Sequence, residues 1–62
     1  MLNYEIAAHI ARNQGLTAEL SPSGGRLVIR SLQTVIVGTI KIDPDDCVEQ
    51  SLFEHILRRA KQ

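Results

Sequence analysis

Residues 21–25 constrain the fold of this 62-residue chain most strongly, because they form a dense turn signal between two segments that are each predicted to be a strand. The proline in this segment fixes one φ angle, and its two glycines can adopt positive φ angles. After the turn a second strand is predicted over residues 26–31, and before it apolar and polar side chains alternate in residues 16–21. A period of two is typical of a half-buried strand. The pattern therefore predicts two antiparallel strands joined as a hairpin.

A third strand is predicted over residues 34–42, where β-branched side chains dominate. These side chains lose χ1 freedom in a helix and pack well on a pleated sheet. The run comprises Val35, Ile36, Val37, Thr39, Ile40 and Ile42. The link to the second strand, at Leu32 and Gln33, contains no strong turn residue.

The first of two predicted helices covers residues 3–14 and is followed by Gly15, a natural helix stop. Its apolar side chains recur at four-residue spacing, which gathers them on one side of a helix. The stripe and its flanks comprise Leu2, Ile6, Ile10, Ala7 and Ala11.

The second helix is predicted to begin at Asp43, with this residue as N-cap and Pro44 at the first helical position. Asp45 and Asp46 then fall in its first turn, where the helix dipole favours carboxylates. Its apolar residues are Val48, Leu52, Ile56, Phe53, Leu57 and Ala60. Its last turn carries the cations Arg58, Arg59 and Lys61.

Together these elements predict one α+β domain over residues 1–62, in the order α-β-β-β-α. Both helices bury most apolar area on one face of a three-stranded antiparallel sheet, giving a two-layer sandwich. Alternation then points one set of side chains at the helices: Leu16, Ala18, Leu20, Leu27, Ile29, Ile36, Gly38, Ile40 and Ile42. The other set points outward: Thr17, Glu19, Arg26, Val28, Arg30, Val35, Val37, Thr39 and Lys41.

The outward set predicts a protein-binding surface, because an apolar centre with a charged rim is the usual anatomy of a modest interface. Its centre is Val28, Val35 and Val37, and its basic rim is Arg26, Arg30 and Lys41. Valines on a solvated sheet face can equally reflect β propensity alone. Since side chains alternate, a slip of one residue in a strand would exchange its two faces.

Chain length and cysteine usage predict how such a domain is stabilised and where it works. Cys47 is the single cysteine, so no intramolecular disulfide can form, and a lone thiol suits the cytoplasm. No signal peptide or membrane-spanning run is evident. A domain this small usually needs a disulfide, a bound metal or a partner subunit to be stable. We therefore expect binding to a protein partner or homo-oligomer formation.

Catalysis, cofactors and metal binding are not predicted. The acidic residues Asp43, Asp45, Asp46 and Glu49 could hold a metal, form an acid and base pair or mimic phosphates, but helix capping explains most of them. Whether they form a recognition surface is left open. His9, His55 and Cys47 belong to no nucleophile or metal-ligand motif.

A nucleic-acid-binding role is the alternative prediction. Seven basic and seven acidic residues cancel, so only a local patch of Arg26, Arg30 and Lys41 could contact phosphates. The segment ARNQGLTAE, residues 11–19, and the αβββα order resemble the double-stranded RNA-binding domain. That family binds phosphates with lysines at the start of its second helix, and here residues 43–46 read Asp-Pro-Asp-Asp, which would repel RNA.

We therefore expect a small non-catalytic interaction protein. It would bind another protein, or a second copy of itself, through the outward sheet face. By analogy of size alone, such a domain resembles the small inhibitor or adaptor proteins that phages and mobile elements encode.

Overall fold

The computed structural model describes residues 1–33 and 35–60. Its elements, in order, are β1 (Leu2–Asn3), α1 (Tyr4–Asn13), β2 (Thr17–Leu20), β3 (Arg26–Arg30), β4 (Ile36–Lys41), β5 (Cys47–Val48) and α2 (Gln50–Ala60). The strands β2, β3 and β4 form an antiparallel sheet in that order, and β1 pairs with β5 in a separate ribbon. The predicted α+β class is confirmed. The predicted start of the third strand, Thr34, and the predicted helical cation Lys61 lie outside the described residues.

Local signals at both ends of α1 explain its bounds. The Asn3 side chain accepts a hydrogen bond from the Glu5 backbone N–H at 2.8 Å, so Asn3 is the N-cap. At the other end Gly15 adopts a φ of +82°, and the Leu16 N–H donates to the Ala11 carbonyl at 3.0 Å. This is a Schellman motif, which requires a left-handed residue and therefore favours glycine.

The core lies between the helices and one face of the sheet, as predicted. Helix α1 packs on β2 and β3, whereas α2 packs on β4. The buried side chains are Ala7, Ala8, Ala11, Ala18, Leu27, Ile29, Ile40, Val48, Phe53, Ile56 and Leu57. Four side chains from the predicted apolar faces are half exposed instead: Ile6 at 53%, Leu20 at 47%, Ile36 at 53% and Leu52 at 55%.

The predicted start of the last helix is wrong, because residues 43–46 form a turn. The Asp46 N–H donates to the Asp43 carbonyl at 2.9 Å, and the Asp43 N–H donates to the Cys47 carbonyl at 2.7 Å. Asp46 adopts a φ of +61°, which aspartate tolerates better than most residues. Aspartate followed by proline begins type I turns as readily as helices, so the sequence signal was ambiguous.

Glu49 caps α2 in place of Asp43. Its carboxylate accepts hydrogen bonds from the Leu52 N–H at 2.8 Å and the Ser51 N–H at 3.2 Å. Its carbonyl accepts the first helical bond, from the Phe53 N–H at 3.1 Å. The residues between the acidic turn and this cap form β5, whose Val48 pairs with Leu2 and is fully buried.

A bulge in β4 changes which of its side chains face the helices. Ile29 pairs with Gly38 but the next residue, Arg30, pairs with Ile36, so Val37 is an extra residue without a partner on β3. Ile36 therefore shares a face with Arg30, and Val37 is partly buried against the core. The predicted orientations of Ile36 and Val37 are both wrong for this reason.

Candidate interaction surface

The sheet face opposite the helices is the candidate functional surface. In β3 the buried Leu27 and Ile29 alternate with residues that point away from the core, and strand register extends that face onto β2 and β4. We define the outer face as Thr17, Glu19, Arg26, Val28, Arg30, Ile36, Thr39 and Lys41. The helices pack on β2, β3 and β4, and the buried side chains of these strands lie on the opposite face of the sheet.

Four of the six predicted binding residues lie together on the outer face, namely Arg26, Val28, Arg30 and Lys41. Val35 precedes β4 and is 59% exposed, so register assigns it to neither face. Val37 is partly buried and packs against the core, so the outer face as defined does not include it.

One half of the outer face carries an ion pair between neighbouring strands. The Arg30 Nε lies 3.1 Å from the Glu19 Oε1, and both groups are partly exposed. The Thr17 hydroxyl donates to the Arg30 carbonyl at 3.4 Å. Exposed pairs of this kind contribute about 0–1 kcal/mol to stability, so the pair orients Arg30 more than it stabilises the fold.

The opposite end of the outer face is cationic. Arg26 and Lys41 are directly paired across β3 and β4, and both side chains are exposed. The Arg26 Nη2 donates to the Thr39 hydroxyl at 3.2 Å, which holds the guanidinium on this face. Like charges directly opposite each other destabilise a sheet slightly. A carboxylate brought to this end would relieve that repulsion.

Three exposed apolar side chains lie in the connection between β3 and β4 and at the first residue of β4. Leu32 is 75% exposed, Val35 59% and Ile36 53%, and we call these three residues the apolar end. The Ser31 hydroxyl accepts hydrogen bonds from the N–H groups of Gln33 and Val35, each at 3.3 Å. The turn is thus tied to its own backbone while its apolar side chains face solvent.

Sequence reasoning missed Ile36 and Leu32 as surface residues. The uninterrupted β-branched run contains no sign of where alternation breaks. Gly38 is the one available signal, because a glycine inside a strand often marks a bulge or a close backbone approach. Gly38 shows both features: the bulge immediately precedes it, and the Ile56 side chain packs directly over its backbone.

The groups with reactive side chains are dispersed. His9 and His55 are exposed on different helices, and the Cys47 thiol donates a weak hydrogen bond to the Asp45 carbonyl at 3.5 Å. In the part of the chain that the structure describes, no three His, Cys, Asp or Glu side chains are grouped to hold a metal ion. Across the same ranges, neither helix has the length and apolar character needed to cross a bilayer.

A groove of about 480 Å³ lies between α1 and the edge strand β2, and we call it the α1–β2 groove. Its apolar lining includes Ala8, Ala18 and Leu27, all of which are buried. Tyr4 also lines the groove, and the pKa of its hydroxyl is raised above 10.0 by loss of solvation and by the nearby carboxylates of Glu5 and Asp46.

No protein-family model matches the sequence, and no curated protein or solved structure is significantly similar to the chain.

Proposed function

We propose that this chain is a non-catalytic interaction domain that docks on another protein through its outer face and apolar end. The observation that carries the proposal is the arrangement of Leu32, Val35 and Ile36, exposed together beside a strip of charged side chains. An apolar contact flanked by charges is the arrangement that protein interfaces use.

The charge of the outer face indicates the chemistry of its partner. The outer face carries three cations and one carboxylate. These are Arg26, Arg30, Lys41 and Glu19. Face-to-face packing of two copies would bring these cationic surfaces together, which opposes association. The partner is therefore a different protein, with carboxylates opposite Arg26 and Lys41 and an apolar patch opposite the apolar end.

The size of the surface also limits the complex. Strands about 4.8 Å apart, with about 3.3 Å per residue, give three five-residue strands a footprint of about 14 by 17 Å. A specific interface usually buries about 800 Å² on each partner. The outer face alone is smaller than that, so the apolar end must contribute to the contact.

Nucleic-acid binding is the second candidate, because the Arg26 and Lys41 side chains are adjacent on an exposed sheet face. Sheet surfaces that bind single strands use aromatic stacking platforms. The two aromatic residues, Tyr4 and Phe53, lie on helices, and Phe53 is buried. The apolar end would also have no role in binding phosphates, so the protein partner is preferred.

Immobilised wild-type protein and two variants, exposed to nuclease-treated extract of the source cells, test the proposal. Ile36→Glu places a charge in the apolar end, and Leu52→Glu is its control on α2, where Leu52 is similarly exposed at 55%. We expect one protein to be retained by wild type and by Leu52→Glu but not by Ile36→Glu. Circular dichroism checks that both variants are folded.

Equal retention by Ile36→Glu and wild type would contradict docking through this surface. Loss of retention in Leu52→Glu but not in Ile36→Glu would place the contact on the helices instead. Retention that is seen with untreated extract but disappears after nuclease treatment, and that falls steeply with salt, would favour the nucleic-acid candidate.

A further inference from the structure

The outer edge of β2 carries main-chain groups directed away from the rest of the sheet. The Ser21 N–H donates to the Arg26 carbonyl at 2.9 Å, and hydrogen-bonded pairs alternate along an antiparallel ladder. The N–H and C=O groups of Ala18 and Leu20 therefore point away from β3. The Ala18 carbonyl confirms this direction, since it accepts a bond from the Arg12 Nη2 at 3.1 Å.

We infer that this edge is a self-association surface, where β2 of one copy pairs antiparallel with β2 of a second copy. A two-fold axis at Glu19 sets Ala18 opposite Leu20 of the partner subunit, and Leu20 opposite the partner subunit's Ala18. The N–H groups of both residues and the Leu20 carbonyl then meet partners on the second copy, and the Ala18 carbonyl, which already accepts from Arg12, accepts a second bond there. The two three-stranded sheets become one sheet of six strands.

The α1–β2 groove accommodates the side chain that this pairing introduces. Residues directly opposite in a ladder share a face, so Leu20 of the partner subunit would stand beside Ala18, on the helix side of the sheet. There the groove is lined by the small side chains of Ala8 and Ala18. The pairing also covers Leu20, which is 47% exposed in the single chain.

Charges along the same groove are complementary under the two-fold axis. Glu5 and Arg12 both line the groove and are seven residues, or about 10 Å, apart on one side of α1. The axis passes between them, because β2 runs back along α1 and Arg12 already contacts Ala18. The two α1 helices would then be antiparallel. Glu5 would face Arg12 of the partner subunit, and Arg12 would face the partner subunit's Glu5.

One feature opposes pairing at the β2 edge, and another disfavours the alternative edge strand, β4. The Glu19 carboxylates of the two copies face each other, but each is neutralised by Arg30 at 3.1 Å in its own chain. The other edge strand, β4, carries Lys41 and the bulge at Val37, both of which discourage strand pairing. The β2 edge has no lysine or bulge, although the Arg12 guanidinium lies against it and donates to the Ala18 carbonyl at 3.1 Å.

The dimer does not depend on the proposed function, but it extends the surface that function uses. A two-fold axis perpendicular to the sheet leaves both outer faces on the same side, side by side. The combined footprint is about twice that of one chain. Docking to a foreign partner and pairing at β2 are therefore compatible.

The solution mass across a dilution series from micromolar to millimolar tests the inference, by light scattering or sedimentation. We expect wild type to approach twice the 6.9 kDa of one chain at high concentration. Leu20→Pro removes an outward N–H without touching the β2–β3 ladder, and should give a monomer. Lys41→Pro is the matched control, because its N–H lies on the open edge of β4, and should still dimerise.

A charge exchange provides a second readout that does not rely on proline. Glu5→Arg or Arg12→Glu alone should raise the dimer dissociation constant by about tenfold or more, and the double variant should restore association. A wild-type monomer at every concentration would overturn the inference. So would a dimer that Lys41→Pro abolishes but Leu20→Pro and the charge variants leave intact.

Discussion

Gly38 lies where α2 crosses β4, and the packing there leaves no room for a side chain. A Cβ atom at this position would come within 2.8–3.0 Å of three carbon atoms of Ile56. We predict that Gly38→Ala lowers the free energy of unfolding by about 1–3 kcal/mol, since overpacked cores must shift to accept extra atoms. Urea denaturation measures the change.

Two further variants separate this steric cost from a general effect of replacing glycine. A Cβ at Gly25 would meet only the Ser23 hydroxyl, at 3.9 Å, so Gly25→Ala should be nearly neutral. Adding Ile56→Val to Gly38→Ala should recover part of the lost stability. An additive double variant would show that the two residues are not coupled.

At the scale of single residues, the buried positions were largely predictable and the surface positions less so. Alternation correctly assigned Ala18, Leu27 and Ile29 to the core, because β2 and β3 pair without interruption. It failed at Ile36 and Val37, where one extra residue reverses the alternation. Beside this extra residue Ile56 packs over Gly38, a contact between distant parts of the chain that alternation does not reveal.

The bulge in β4 makes a prediction at the scale of an element. Ile36→Thr and Val37→Thr both keep a β-branched side chain, but only Val37 packs against the core. We expect Ile36→Thr to change the free energy of unfolding by less than about 0.5 kcal/mol, and Val37→Thr to cost about 1–2 kcal/mol. Thermal or urea unfolding gives both values. The reverse order would indicate regular alternation without a bulge.

The start of α2 gives a second prediction at this scale. Removing the Glu49 carboxylate leaves the N–H groups of Ser51 and Leu52 without their side-chain acceptor. Glu49→Ala should therefore cost about 1 kcal/mol. Asp45→Ala removes the same charge from the exposed turn and should be nearly neutral. A larger effect at Asp45 would favour a helix that begins in the acidic turn.

Element positions were predictable where local chemistry alone decides them. The ends of α1 depend on Asn3 and Gly15, whose preferences are strong and local. The β1–β5 ribbon was not predictable, because two-residue strands have no periodicity to detect and the paired residues are far apart in the sequence. The acidic turn at residues 43–46 shares its sequence signals with a helix N-terminus, so only the tertiary fold distinguishes them.

At the scale of the whole molecule, the fold places its apolar surface and its charges where a partner can reach both. The helices cover one side of the sheet, and the other side remains a flat face with a cationic end and an apolar end. A chain of 62 residues buries only about 60% of the surface its unfolded form exposes. Association through β2 and docking on the outer face would each add buried surface to a domain of marginal size.

Isotope-labelled protein titrated with the retained partner tests most directly whether the outer face and the apolar end contact that partner. Amide signals of Val28, Ile36 and Lys41 should shift on binding, while those of the exposed face of α2 around Leu52 stay in place. Shifts confined to the helices, with the β3 and β4 signals unchanged, would contradict the claim.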